Sequence, residues 1–155
     1  MSTGLRAAED DFILLVEDNE DDVDLTLRAF DQVQIANRIV VVRDGQEALD
    51  FLHATGIHAD RDASHTPQIV LLDLKLPRVE GLEVLRRMRE DERTRLVPVV
   101  ILTSSKHEED LVAGYIGGAN SYVCKPVDML QFVDAVRQLG LYWLILNQSA
   151  PRGTS

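Results

Sequence analysis

Charged and hydroxyl side chains stand at the ends of four apolar segments of this sequence. Glu17-Asp18 follow the first of them, Asp73 ends the next, and Thr103 and Lys125 follow two later ones. Three carboxylates held close together repel one another, so they must be partly protonated or share a cation. Mg²⁺ suits an all-oxygen cluster because it keeps several waters and bridges carboxylates to phosphate oxygens. A carboxylate nucleophile, Mg²⁺, a lysine and a hydroxyl donor are together what the formation of an aspartyl phosphate requires.

Each of these residues has a simpler explanation when it is taken alone. Asp73 can be a helix N-cap or a loop residue, Thr103 can be a helix cap, and Glu17 and Asp18 can cap the helix that follows them. Lys125 can be an ordinary surface residue. These explanations do not account for four independent segments that end in the same manner, so the combination favours one shared site.

Five short segments are predicted to be buried strands because they are rich in Ile, Val and Leu, without the alternation of a half-exposed strand. They are Phe12–Val16, Arg38–Val42, the run from Gln68 that ends in Asp73, Pro98–Leu102 and Ser121–Cys124.

Helical periodicity occurs between and after these strands. The apolar residues at helical spacing are Val23, Leu27 and Phe30; Ala48, Leu49 and Leu52, after a turn at Asp44-Gly45; Leu82, Leu85 and Met88, after Gly81; Leu111, Val112, Tyr115 and Ile116; and Leu130, Val133 and Val136, in a helix that starts near Asp128. A βα unit repeated five times predicts an α/β fold, a doubly wound five-stranded parallel sheet with helices on both faces. The carboxyl ends of such strands converge on one edge, where ligands bind.

Composition excludes several classes of function. The net charge of −10 over 155 residues argues against binding to nucleic acid or to an anionic membrane surface, both of which favour a basic protein. The lone Cys124 excludes an internal disulfide and favours a reducing compartment. The chain begins without the features of a signal peptide, and no apolar run approaches the roughly 20 residues of a membrane span. We therefore expect a cytoplasmic protein with a tail at 1–10, one domain at 11–146 and a second tail at 147–155.

The sequence resembles the receiver domains of two-component response regulators from Phe12 to about Gly140. The resemblance depends on Glu17-Asp18 after the first strand, Asp73 with Pro77 and Gly81, Thr103 after the fourth strand, and Lys125-Pro126 after the fifth. It implies the flavodoxin-like (βα)5 receiver fold. It also implies a phosphoacceptor that promotes its own phosphotransfer and dephosphorylation, rather than an enzyme acting on a separate substrate.

The resemblance assigns a role to each of the matching residues. Asp73 becomes the phosphoacceptor, loaded from the phosphohistidine of a sensor histidine kinase. The implied Mg²⁺ ligands are Glu17, Asp18, the Asp73 carboxylate and the backbone carbonyl of Lys75. Thr103 and Lys125 are implied to grip the phosphoryl group, Tyr122 to turn inward as Thr103 moves, and the Lys125–Pro126 peptide bond to be cis.

The function predicted on this basis is a stand-alone receiver that changes its helix 4–strand 5–helix 5 face on phosphorylation. An aspartate-nucleophile phosphatase shares the chemistry, but it needs a second Asp where this chain has Lys75. A flavin-binding protein of the same fold needs a phosphate-cradling loop where this chain has Glu17-Asp18. A receiver-like scaffold or dimerisation module that is never phosphorylated is a further alternative, which leaves the acid cluster unexplained.

Two features depart from the family pattern. The segment Thr55–Pro67 is predicted to be a surface loop longer than the family minimum. His53, His58 and His65 fall in or beside it, but their spacing matches no known metal-ligand pattern. Lys75 places a cation two residues after the phosphoacceptor, and we expect its side chain to alter the lifetime of the phosphoryl group.

The apolar segment Leu141–Leu146 contains the only tryptophan and has two explanations. It folds back on its own domain, or it lengthens the last helix and forms, with Tyr115 and Val136, a homodimer or kinase-binding face. Single-domain receivers that end in a similar Tyr-Trp-Leu segment resemble those that serve phytochrome-type histidine kinases, which makes such a kinase the expected partner.

Overall fold

The computed structural model describes residues 11–32, 37–103 and 121–124, together with positions 130, 133–134 and 137–138. The strands are β1 (Phe12–Val16), β2 (Arg38–Val42), β3 (Ile69–Asp73), β4 (Val99–Thr103) and β5 (Ser121–Cys124), and the helices are α1 (Glu20–Gln32), α2 (Gly45–His53) and α3 (Gly81–Glu90). A 3₁₀ turn at Gly56–His58 follows α2, and the described positions from 130 onward are helical.

All strand pairs are parallel, and the five strands lie in the order β2-β1-β3-β4-β5. The predicted doubly wound parallel sheet is therefore confirmed. β1 is flanked on both sides, because Val16 pairs with Val42 of β2 and with Leu72 of β3. This register brings the carboxyl ends of the first three strands together at one edge.

The apolar strands are covered on both faces, as their lack of alternation predicts. Successive residues of β1 enter opposite clusters. Phe12, Leu14 and Val16 pack with α2 and α3, while Ile13 and Leu15 pack with α1 and with Val133 of the last helical segment. The packed sheet therefore fixes the positions of the residues at the ends of its strands.

The predicted apolar stripe of α1 is wrong at Leu27, which is 37% exposed. Val23 and Phe30 are buried as expected, but Thr26 and Ala29 take the remaining inward positions. Thr26 can do so because its hydroxyl donates to the Asp22 carbonyl at 2.8 Å. Leu130, expected on the buried side of the last helix, is likewise exposed at 76%.

The segment Thr55–Pro67 is a loop at the amino-terminal edge of the sheet, held by Arg61. The Arg61 guanidinium lies 3.8 Å from the centre of the Phe51 ring. It donates to the Phe51 carbonyl and, at 2.6 Å, to the His65 carbonyl. The Arg61 side chain therefore helps to fasten this long loop to α2.

The three histidines in or beside this loop have separate partners. His53 Nε2 lies 3.3 Å from an Asp91 carboxylate oxygen and His58 Nε2 lies 3.1 Å from one of Glu47, while the His65 ring packs edge-on against Phe12. Within the described ranges they form no shared metal site. No helix in the described part of the chain has the length and apolar character needed to span a membrane.

Candidate metal centre at the carboxyl end of the sheet

Three carboxylates converge where β1 and β3 end. Glu17 and Asp18 follow β1 and Asp73 is the last residue of β3; one carboxylate oxygen of each lies within 4.8 Å of the others. Glu17 is fully buried and Asp73 is 6% exposed, whereas Asp18 is exposed. The structure therefore brings together the three carboxylates that the sequence assigns to a metal site, with two of them removed from water.

Glu17 is fixed by its backbone and by its side chain. Its N–H donates to the Val42 carbonyl of β2 at 3.0 Å. Its Oε2 accepts from the Asn19 N–H at 3.2 Å, and Oε1 is buried. Burying an ionised carboxylate is unfavourable without compensating charge, so this position favours a nearby cation.

Helix capping does not explain Glu17 and Asp18. The side chain that caps α1 belongs to Asn19, whose Oδ1 accepts from the Asp22 N–H at 3.0 Å. The capping role that the sequence alone allows for Glu17 and Asp18 is thus filled by Asn19.

The chain turns back towards the Asp73 carboxylate directly after β3. The Lys75 N–H donates to Asp73 Oδ1 at 3.3 Å. The flanking Leu74 and Leu76 are buried in the core between the sheet and α2 and α3, while Lys75 itself is exposed. The backbone of Lys75 is therefore held beside the carboxylate, in a residue that is exposed as a whole.

The donor set fits a hard divalent cation. Three carboxylate oxygens within 4.8 Å of one another provide the oxygen ligands and the negative charge that Mg²⁺ prefers. Of the residues that the structure describes, these three alone form a group of this kind.

Ion pairs join the loops around the cluster. Arg43, just after β2, pairs with Glu20 at the start of α1. Arg78, in the loop after β3, has an Nη1 atom 3.5 Å from Asp44 Oδ2. The backbone φ of Arg78 is +70°, a left-handed conformation that is uncommon for a residue with a side chain.

The other predicted site residues are placed only in part. Thr103 is the last residue of β4, one position beyond Leu102, the partner of Asp73 in β3. Tyr122 lies in β5 opposite Ile101. The side chains of both lie outside what the structure describes. So do Lys125 and its bond to Pro126, the predicted helix over Leu111–Ile116 and the segment Leu141–Leu146.

Sequence reasoning missed two residues that contact the loop after Asp73. Asp44 and Gly45 were interpreted as a turn, yet the Gly45 N–H donates to the Pro77 carbonyl at 3.2 Å. Asp44 pairs with Arg78 as described above. The Asp-Gly pair predicted a change of direction, but nothing in the sequence indicates which distant loop lies against it.

Comparison with known proteins agrees with this geometry. The family model of the response regulator receiver domain matches residues 13–137. The probable methanogenesis regulatory protein FilR2 of Methanothrix harundinacea is 43% identical over 155 residues, which cover 96% of this chain and 97% of that protein. The response regulator Rcp1 of Synechocystis is 33% identical over 132 residues, covering 85% of this chain and 88% of its own length.

Solved structures give the same result. The bacteriophytochrome response regulator RtBRR has a TM-score of 0.76 and 47% identity, covering 93% of this chain and 86% of that one. The phosphorylated cyanobacterial phytochrome response regulator RcpA scores 0.76 at 34% identity, and the Mn²⁺-bound form of Rcp1 scores 0.75 at 32% identity. Each of these two alignments covers 86% of this chain and 94% of the other.

Proposed function

Because the chain belongs to the response regulator receiver domain family, we propose that Asp73 accepts a phosphoryl group from the phosphohistidine of a sensor histidine kinase. One carboxylate oxygen of Asp73 attacks phosphorus while the bond from phosphorus to the histidine nitrogen breaks, and the imidazole leaves. The observation that carries the proposal is the position of Asp73, at the end of β3 and within 4.8 Å of two further carboxylates.

We assign the metal ligands to Glu17, Asp18, Asp73 and the Lys75 carbonyl. Mg²⁺ bound there would offset the negative charge that the carboxylates and the phosphoryl oxygens bring together. The backbone bond from Lys75 to Asp73 orients the carboxylate, and the buried Leu74 and Leu76 keep that backbone in place. Mn²⁺ in Rcp1 supports a divalent ion at this site. We assign Mg²⁺ because it keeps several waters and bridges carboxylates to phosphate oxygens.

Thr103 and Lys125 are proposed to bind the phosphoryl oxygens, and Tyr122 to report the movement of Thr103. Support comes from the register, since β3, β4 and β5 end side by side. Phosphorylation then shifts a pre-existing equilibrium in the helix 4–strand 5–helix 5 face. The same site promotes hydrolysis of the phosphoryl group, at a rate that the exposed Lys75 side chain modifies.

The proposed phosphodonor is a phytochrome-type kinase in the cytoplasm. RtBRR and RcpA, both described as phytochrome response regulators, support this choice. We further propose a homodimer formed through the helix 4–strand 5–helix 5 face and Leu141–Leu146. Light scattering with and without phosphorylation tests for that dimer.

Intact mass after incubation with acetyl phosphate tests the phosphoacceptor role directly. We expect the mass of one phosphoryl group to be added when Mg²⁺ is present and not when it is chelated. The near-isosteric Asp73→Asn protein should gain nothing under either condition. A folded wild-type protein that gains no mass with Mg²⁺ present would instead support a scaffold that is not phosphorylated.

A further inference from the structure

The turn between β2 and α2 contacts both halves of the metal site. We call residues Val42–Gly45 the β2–α2 junction. At one end, the Val42 carbonyl accepts the N–H of Glu17 at 3.0 Å; at the other, the Gly45 N–H donates to the Pro77 carbonyl at 3.2 Å. The junction therefore joins the acids after β1 to the loop after Asp73, although none of its side chains belongs to the carboxylate cluster.

The contact at Gly45 is so close that no side chain fits there. A Cβ atom at this position would lie 1.8 Å from the Val79 carbonyl oxygen, and real Cβ contacts are essentially never below 3.0 Å. The two backbones would have to separate by 1.2 Å (3.0 minus 1.8) to admit alanine. Glycine is required here by the close approach of two backbones.

The loop that Gly45 touches is rigid enough to transmit such a shift. The Pro77 carbonyl also accepts the Val79 N–H at 2.7 Å, and the Gly81 N–H donates to the Leu74 carbonyl at 3.0 Å. A Cβ on Gly81 would lie 2.2 Å from the Asp73 carbonyl oxygen. The loop from residue 74 to 80 is thus held between two glycines, one at the start of α2 and one at the start of α3.

Asp44 fixes Gly45 in place. Its Oδ1 accepts from the Glu47 N–H at 2.7 Å, which caps α2. Its carbonyl accepts from the Ala48 N–H at 3.0 Å. Because α2 packs into the core, the first residue of that helix is a fixed surface against which the loop rests.

We propose that the β2–α2 junction, acting through Gly45, is a positioning element that sets the separation between Glu17-Asp18 and the Lys75 backbone in the metal site. The inference rests on the proposed metal ligands. Gly45 contacts no ligand atom. It fixes the positions of Pro77 and Val79, and through them the position of the Lys75 backbone.

Calorimetric titration with Mg²⁺ of the full chain tests the proposal. We expect Gly45→Ala to raise the Mg²⁺ dissociation constant about tenfold, as is usual when a residue that orients metal ligands is lost. Gly56→Ala is the matched control. Gly56 follows the far end of α2 and has a φ of +56°, and a Cβ there would lie 2.6 Å from a carboxylate oxygen of Asp50. Gly56→Ala should reduce stability and leave the dissociation constant unchanged.

A second pair of variants decides the matter if Gly45→Ala does not fold. Asp44→Ala removes the cap that holds the junction, and we expect Mg²⁺ to bind more weakly than to the wild type, with a loss smaller than the tenfold loss expected for Gly45→Ala. Asp44→Asn retains a capping side chain and removes the same charge, so it should bind more tightly than Asp44→Ala. Equal affinities for these two would overturn the proposal.

The wild-type titration separates this inference from the proposed function. If the wild type binds Mg²⁺ and a folded Gly45→Ala protein binds it equally well, the positioning role is wrong and the metal site stands. If the wild type binds no Mg²⁺, both the metal site and the positioning role fail.

Discussion

Glu17 and Asp73 lie 56 positions apart in the chain (73 minus 17), yet their carboxylate oxygens lie within 4.8 Å of each other. Both side chains are almost wholly removed from solvent, so water screens their repulsion poorly. The ionised forms of these two carboxylates therefore repel each other, and a cation bound beside them would relieve this repulsion.

Asp73→Asn should consequently make the metal-free protein more stable. Two unit charges at this distance repel by ~3 kcal/mol at the effective dielectric constant of about 20 that describes protein sites best. We expect a gain of that order in the free energy of unfolding, measured with urea in the presence of a chelator. Saturating Mg²⁺ should reduce the difference in free energy of unfolding between Asp73→Asn and the wild type, because it stabilises the wild type more than the variant.

Asp24→Asn provides the control for that charge effect, since Asp24 is an exposed acid on α1 outside the cluster. It should change the free energy of unfolding little. An Asp73→Asn protein no more stable than the wild type in chelator would mean that the cluster carries no repulsion.

Arg78→Gly should also stabilise the protein. A left-handed backbone is unfavourable by ~1 kcal/mol for a residue with a Cβ and is accessible to glycine, and the contact of Arg78 with Asp44 is solvent-exposed and contributes little. Arg78→Ala is the matched variant, because it loses the same side chain and keeps the backbone strain. In urea denaturation, the free energy of unfolding of Arg78→Gly should exceed that of Arg78→Ala by ~1 kcal/mol. The reverse order would show that the left-handed backbone at this position is not strained.

Arg61→Lys should loosen the long loop before β3. Burial lowers the pKa of the Arg61 guanidinium, but the group stays charged, and its planar fork both stacks on Phe51 and donates to two carbonyls. Lysine cannot reproduce that arrangement. We expect ~1 to 2 kcal/mol less stability and faster proteolysis within residues 55–67, whereas Arg93→Lys, at an exposed position, should change neither.

Glu83 should contribute to unfolding in acid. Hydrogen bonds from Arg86 and then Arg87 lower the pKa of this carboxyl from 4.5 to about 2. A folded-state pKa below the unfolded value adds stability above about pH 4.5, and that stability is lost as the pH falls towards 2. Glu83→Gln should therefore show a shallower loss of stability across this window.

The Glu83 carboxylate is partly exposed and its two arginine partners are exposed, so ions in solution screen these pairs and make the effect sensitive to salt. Added salt should reduce the difference between Glu83→Gln and the wild type. Glu92 is an exposed acid. Glu92→Gln should therefore show the same dependence of stability on pH as the wild type at all salt concentrations.

The strands were predictable because burial on both faces leaves a strong signal in the sequence. The ranges of β1, β2 and β5 agree with the prediction residue for residue, and β3 and β4 each begin one residue later than expected. Pro98 illustrates the shift at β4. It has no N–H to donate, and only its carbonyl joins the sheet, by accepting from Val70 at 2.9 Å.

The three carboxylates were also predictable, because parallel strands carry their final residues to one edge. The contacts around them were not. The left-handed backbone of Arg78 occurs at a residue type that gives no such signal. The approach of Gly45 to Val79 joins residues 34 positions apart (79 minus 45), and only the packed fold determines it. The pairing of His53, His58 and His65 with a separate carboxylate or ring each depends on the same packing.

The strand order indicates when, during folding, the three carboxylates come together. β1 is synthesised first and lies inside the sheet, so one of its edges must wait for β3, which follows only after β2, α2 and the long loop. Contacts between such distant segments are slow to form because a large loop must close first. A cation bound by both Glu17 and Asp73 would link β1 to β3, and it would add to the stability of the protein only after these two strands have paired.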